Sequence, residues 1–183
     1  MQTIFTIGHS TRGINEFIDL LKMHSVTALV DIRTIPKSRH NPQYGHEELE
    51  NSLSAHDIQY IYMKNLGGLR PASKNSINDA WRNKSFRNYA DYMQSDEFKE
   101  GVSELIKISQ HSTAAIMCAE AVPWRCHRSL VADALVAREI PVREIISEGS
   151  VREHKLTSFA VIDDKEVTYP KSALDSEGKD DEG

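Results

Sequence analysis

Ala28-Leu-Val-Asp-Ile32 is the stretch on which the fold turns. Its apolar residues follow one another without the polar alternation of a half-exposed strand, the pattern of a strand buried on both faces of a parallel sheet. Ala114-Ala-Ile-Met-Cys118 has the same character, and Thr3 to Ile7, Ile58-Gln-Tyr-Ile-Tyr62 and Val142 to Ile146 read as further strands. Between them lie segments with helical spacing. Ile14, Phe17, Ile18 and Leu21 repeat every three to four residues, Leu49 and Leu53 share one face of a short helix over 47–56, and two helical stretches cover roughly 79–93 and 96–109. Leu130, Val131, Ala134 and Leu135 mark another helix, with Pro123 suited to its first turn. Strands alternating with helices predict an α/β fold: a mostly parallel sheet of about five strands with helices on both faces, a Rossmann-like three-layer architecture. Ser158 to Ile162 and Glu166 to Tyr169, joined by Asp163-Asp-Lys165, are expected to form a C-terminal hairpin or an edge extension.

The 183-residue chain has the length of one domain and enough mass for a core without metal or disulfide support. The expected organisation is an α/β domain over 1–157, an extension over 158–171 and a disordered acidic tail over 172–183. The net charge is −5, and the tail accounts for most of it, with Asp175, Glu177, Asp180, Asp181 and Glu182 set against Lys179. No apolar run approaches the length of a membrane span and the start of the chain lacks a leader pattern, so the expected location is cytoplasmic, without a membrane partner. Two cysteines exclude a secreted disulfide scaffold and are expected to be reduced thiols.

In open α/β folds ligands gather where the strands end. Here those loops are basic. Arg33, Lys37, Arg39, His40 and His46 follow the second strand with no acid among them, and from Lys64 to Arg87 only Asp79 opposes the cations. Arg125 and Arg128 follow the fourth strand, whereas Glu47, Glu48, Glu50, Asp96, Glu97, Glu100 and Glu104 lie on helices. One edge is expected to be electropositive and to hold an anion.

The chemistry-bearing cluster is Cys118-Ala-Glu-Ala-Val-Pro-Trp-Arg-Cys-His-Arg128. His127 falls within the stripe of Leu130, Val131 and Ala134 and so faces the sheet edge, where an imidazole can act as general acid or base. A Cys126 thiol in a first helical turn beside Arg and His is activated in principle, and Cys118 or Cys126 is a candidate nucleophile. Glu120 is a candidate proton-transfer group or an arginine partner. Plain packing of both cysteines and a hydrogen-bonded structural His127 stand beside these readings. After the first strand, Gly8-His-Ser-Thr-Arg12 offers His9 as a catalytic candidate and Ser10 as a phosphate donor. Asp31 is a candidate proton acceptor or an orienter of His127 or His9, although pairing with Arg33 explains it equally well. Arg33, Ser38, Arg39, Arg125 and Arg128 complete the candidate substrate-binding set, with Lys37 beside them.

No P-loop or dinucleotide fingerprint is present, and the spacing of Cys118, Cys126 and His127 matches no common zinc pattern, so no metal is expected and no cofactor is assigned. A phosphatase or rhodanese cradle is disfavoured because the loop after Cys118 has no glycine, contains Pro123, and carries Glu120. Aromatic residues, Trp124 and Tyr44 near the basic edge among them, are too scattered for a single-strand stacking platform.

Thr6-Ile-Gly-His-Ser10, Val30-Asp-Ile-Arg33 with Pro36 and Ser38-Arg39, Leu66-Gly-Gly68, and Met117-Cys-Ala-Glu120 followed by Cys126-His-Arg128 resemble the prokaryotic family called domain of unknown function 488. The resemblance implies an α/β domain with a candidate site built from these motifs and no settled activity, and it ends near Ile146. Taken together, the expected function is an enzyme acting on a phosphate-bearing, nucleotide-like or nucleic-acid substrate at the sheet's C-terminal edge. A non-catalytic nucleic-acid or nucleotide binding module and a thiol-based redox or metal sensor are the alternatives.

Overall fold

A computed structural model describes residues 2–177. The elements run β1 (Ile4–Gly8), α1 (Ile14–Met23), β2 (Ala28–Asp31), α2 (His46–Ser54), β3 (Gln59–Tyr62), α3 (Lys84–Tyr92), α4 (Asp96–His111), β4 (Ala114–Cys118), α5 (Arg128–Ala137), β5 (Val142–Ser147), β6 (Ser150–Glu153), β7 (Val161–Asp163), β8 (Glu166–Thr168) and α6 (Lys171–Glu177). The main sheet has the order β3-β2-β4-β1-β5-β6. All neighbours are parallel except β6, which returns antiparallel along β5. The mostly parallel α/β fold is thus as expected, with one strand more than the sequence announced. Ser150-Val-Arg-Glu153 carries too little apolar content to be legible, because it forms the sheet's edge and is largely exposed.

Alternation along the strands builds two cores. Phe5, Ile7, Leu29, Met117 and Ile145 face α1 and α2, meeting Phe17, Ile18, Leu21, Leu49 and Leu53. Ile4, Val30, Ile32, Ile116 and Val142 face α3, α4 and α5, meeting Phe86, Tyr89, Phe98, Leu105, Leu130 and Val131. Two helices begin on side-chain caps that satisfy otherwise orphaned amides: Asn83 accepts from the Phe86 amide at 3.2 Å and Ser95 from the Phe98 amide at 3.2 Å.

Pro123 does not open the following helix. It starts a separate 3-10 turn, Pro123–Arg125, and α5 begins at Arg128, which leaves Cys126 and His127 in the connection. The chain also pairs as expected near its end. β7 and β8 form a hairpin whose turn residues Asp164 and Lys165 both have positive φ, 47° and 70°, as the tight twist-matched turns require. The stretch expected to be a disordered tail begins in α6; residues 178–183 lie outside the described residues.

A buried polar network fastens this C-terminal part to α5. Asp133 is fully buried and accepts from the Thr157 amide at 3.1 Å, the Thr157 hydroxyl at 2.7 Å and the Tyr169 hydroxyl at 2.7 Å. His154 Nε2 lies 2.8 Å from Asp133, and its Nδ1 lies 3.6 Å from Glu144. Burial works to lower the His154 pKa, but the two carboxylates outweigh it and raise the value to about 9. For Glu144, burial works upward while His154 and Arg152 bring the pKa below its ordinary value. The raised histidine stabilises the fold fully below pH 6.5, and that contribution is lost as the pH climbs through about 9; Glu144 acts in the opposite sense, losing its contribution on acidification. Urea unfolding is expected to show a loss of about 3 kcal/mol between pH 6.5 and alkaline pH above 9, with His154→Gln flat over that interval. An equal alkaline loss in His154→Gln would place the titration elsewhere.

Candidate functional site

The C-terminal ends of β1, β2 and β4 lie side by side, with Gly8 opposite Cys118 and Asp31 opposite Met117. The turn after β1 is pinned to the turn after β4: the His9 amide donates to the Cys118 carbonyl and the Ser10 amide to the Ala119 carbonyl, both at 2.9 Å. Gly8 is required by this approach, because a Cβ there would coincide with the Glu120 carbonyl. Ser10 turns with a positive φ of 49°, a conformation that few non-glycine residues adopt. Arg12 then reaches back to donate to the carbonyls of Gly8 and Ile146, tying the end of β1 to the end of β5.

On the α1–α2 side of this edge, Asp31 and Arg33 form a buried pair. Arg33 Nη2 donates to Asp31 Oδ2 at 2.7 Å and Arg33 Nε to Oδ1 at 2.9 Å. Tyr60, from β3, donates its hydroxyl to Asp31 Oδ2 at 2.5 Å. Burial opposes the charge of Arg33, but Asp31 holds its pKa above the ordinary value. For Tyr60, burial and then the Asp31 hydrogen bond raise the phenol pKa, so it stays a donor. One prong of the guanidinium, Nη1, is buried with no hydrogen-bond partner among the described residues.

His9 stands at the same place. Its ring stacks on Tyr44 with centroids 4.2 Å apart, and Asp31, Arg33 and Arg12 all act on it electrostatically. Its Nδ1 lies 2.8 Å from the Ser10 carbonyl. A carbonyl can only accept, so Nδ1 carries the proton and Nε2 of the neutral ring presents a lone pair. Burial lowers the His9 pKa, which keeps the ring neutral. Nε2 is also buried without a partner among the described residues. Arg33 thus offers a hydrogen-bond donor and His9 a basic nitrogen, each unused by the fold. Orphaned groups of this kind are uncommon and point to a ligand or solvent.

The α5 side of the edge is put together differently. Arg128 is completely buried and donates Nη1 to Cys118 Sγ at 2.9 Å and to the Glu120 carbonyl, and Nη2 to the Ala121 carbonyl at 3.1 Å. Burial lowers its pKa to about 10, leaving it charged at neutral pH. Its cation holds the 118–121 turn in shape. The sulfurs of Cys118 and Cys126 are brought side by side across this turn. The segment between them folds back through the 3-10 turn over Arg128, a return that linear spacing does not reveal. His127 donates Nε2 to the Ile32 carbonyl at 3.0 Å and lies against Tyr89 and against Gly68, where no side chain would fit. Burial takes its pKa down to about 4.

The candidates read from the sequence therefore divide. His9, Asp31 and Arg33 converge. Cys118, Cys126, His127 and Arg128 form a second cluster packed toward α3–α5, and Asp31 orients Arg33 there rather than His127. The Glu120 side chain is exposed beside the turn. Ser38 accepts from the Asn41 amide at 3.1 Å, Arg39 is exposed in the loop after β2, and Arg125 lines a separate cavity. Part of the basic edge is structural: Arg70 donates to the Gly67 and Lys64 carbonyls and Arg87 to that of Trp81. Tyr60 and Arg12 were not singled out from sequence. Tyr60 sits one alternation below Tyr62 on β3, a register that becomes visible only once β2 and β3 are paired. Among the described residues, no group of three or more His, Cys, Asp or Glu is placed to hold a metal ion, and no helix is long and apolar enough to cross a membrane.

Comparison with curated proteins and with solved structures gave no match. The model of one family matches residues 13–135, two thirds of the chain, which include the end of β2 with Asp31 and Arg33 and the Cys118–Arg128 segment but not His9 or Ser10. By that match the chain belongs to the family described as domain of unknown function DUF488.

Proposed function

We propose that the chain is an enzyme acting on a phosphate-bearing substrate, nucleotide-like or nucleic acid, bound at the C-terminal edge of the sheet. The observation that carries this reading is the pair of buried, unpartnered polar atoms, Arg33 Nη1 and His9 Nε2, at one place on that edge. Arg33 donates to a phosphate oxygen, with Asp31 and Tyr60 fixing the plane of its guanidinium. His9 Nε2 accepts the proton of the attacking hydroxyl or water, since its lone pair is held free by the Ser10 carbonyl. Glu120, next to the turn that the His9 and Ser10 amides pin, is the second proton-transfer group. Arg39 and Ser10 approach the anion from the loops after β2 and β1 in this reading. Arg128, His127, Cys118 and Cys126 position the 118–121 turn and touch no substrate.

Thermal unfolding against nucleotides, inorganic phosphate and short DNA and RNA tests it. A ligand at about 100 times its Kd adds about 2.7 kcal/mol. Arg33→Lys keeps the charge facing Asp31 but removes the free prong, and is expected to weaken a phosphate-bearing ligand about tenfold or more. His9→Gln is expected to bind that ligand yet not turn it over. A shift unchanged in Arg33→Lys, or no shift with any ligand, would sink the reading. Affinity that falls steeply and log-linearly with salt, without turnover, would instead identify a non-catalytic nucleic-acid binder.

A further inference from the structure

A separate cavity lies between the 3-10 turn after β4, the start of α5, and strands β5 and β6. It has a volume of about 910 Å³ and includes none of His9, Asp31, Arg33 or Tyr60 in its lining. That volume is in the range of small-molecule sites, about 300–1,000 Å³. Its walls combine aromatic rings with cations. Trp81, Phe159 and Trp124 supply the rings; Arg125, Arg152 and Lys155 supply the charge.

The acids of this cavity are largely engaged by the fold. Glu144 on the floor faces Arg152 across the strand pair at 3.1 Å and His154 at 3.6 Å. Asp133 holds the far side of His154. Arg125 and Lys155 are exposed and have no ion-pair partner among the described residues, with the exposed Glu153 on the same rim as the opposing acid. The accessible charge is therefore net positive. Trp124 is 54% exposed, an unusual position for the largest side chain, and Arg152 lies over its ring at 4.9 Å. That guanidinium fixes one face of a stacking surface. Trp81 is only 4% exposed, and its indole Nε1 is buried with no hydrogen-bond partner among the described residues. A donor left unpaired in the wall of a cavity favours a ligand that brings an acceptor.

We propose that this cavity is a second binding site, taking a planar heteroaromatic anion of about the size of a nucleoside monophosphate. The ring lies against Trp124, with its acceptor atoms toward the cavity wall, and the anionic group meets Arg125 and Lys155. The site is independent of the His9–Arg33 centre.

The two tryptophans of the chain both line this cavity, so intrinsic fluorescence reports on it directly. The full chain is titrated with adenosine monophosphate and with nicotinate, which carry the anion as phosphate or as carboxylate, and with adenosine and inorganic phosphate as single-feature controls. The expected result is a saturable change with at least one of the two aromatic anions, about tenfold weaker with either control. Arg125→Ala combined with Lys155→Ala, both at exposed positions, is expected to weaken it about tenfold with unchanged circular dichroism. His9→Gln leaves it intact, which separates this site from the one under Proposed function. No saturable change at about 1 mM of either anion, equal affinity in the double variant, or loss of the signal in His9→Gln would each overturn the proposal.

Discussion

Asp31→Asn is expected to destabilise the protein by about 3–5 kcal/mol in urea unfolding, the range for leaving a buried charge without its partner. Asp31 is fully buried and Arg33 is 6% exposed, so water cannot replace the carboxylate that holds Nε and Nη2. The Tyr60 hydroxyl loses its charged acceptor in the same step. Replacing both members, as in Asp31→Leu with Arg33→Met, removes the stranded charge along with the pair and is expected to cost less than Asp31→Asn alone. That order distinguishes a pair retained for the site from one retained for the fold. A double variant less stable than the single one would show that the pair's packing, not the unpaired guanidinium, sets the cost. In the ligand assays, Asp31→Asn folded at low temperature is expected to bind phosphate-bearing ligands more weakly than the parent chain, because the carboxylate that fixes the Arg33 guanidinium is gone.

Gly8→Ala is the second large effect. A Cβ at this position meets the Glu120 carbonyl carbon and oxygen and the Arg128 guanidinium, and no rotamer relieves a clash with backbone. Either β1 parts from β4 at its end or the 118–121 turn moves off Arg128. Overpacking usually costs about 1–3 kcal/mol, and here it also breaks the hydrogen bonds of a fully buried cation, so a loss of about 3 kcal/mol or more is expected. Thermal unfolding measures it. A loss under about 1 kcal/mol would mean the turn yields easily and that Arg128 does not hold it rigidly.

These two positions also show what was legible in the sequence. Continuous apolar strands and helical stripes led to the layered fold directly, because burial on both faces leaves no other pattern. Asp31 stood out as an acid closing an apolar run, and its pairing with Arg33 was foreseeable from two residues of separation. The engagement of Arg128 with three backbone and sulfur acceptors was not, since carbonyls leave no mark in a sequence. The same holds for His127, whose acceptor is the Ile32 carbonyl, 95 positions away in the chain. The approach of Cys126 to Cys118 was missed because spacing alone does not say that the intervening loop doubles back. His9 was recognised as a candidate, but its neutral, Nε2-basic form follows only from the Ser10 carbonyl and the stacked Tyr44 ring. Edge strand β6 and the Asp133 network escaped for a related reason: exposed strands and buried polar residues both contradict simple hydropathy.

The position of β1 has a consequence for dissecting the protein. It is an interior strand, between β4 and β5, yet its residues Ile4–Gly8 precede the segment matched to the family, 13–135. A fragment cut to the matched segment would keep β2, β3 and β4 but strip one flank of β4 of its partner. The bare row of amides and carbonyls, flanked by Ala115, Ile116 and Met117, is a template for intermolecular pairing. Such a fragment should be an aggregating species, and a synthetic peptide spanning β1 should act as its solubilising complement by strand addition.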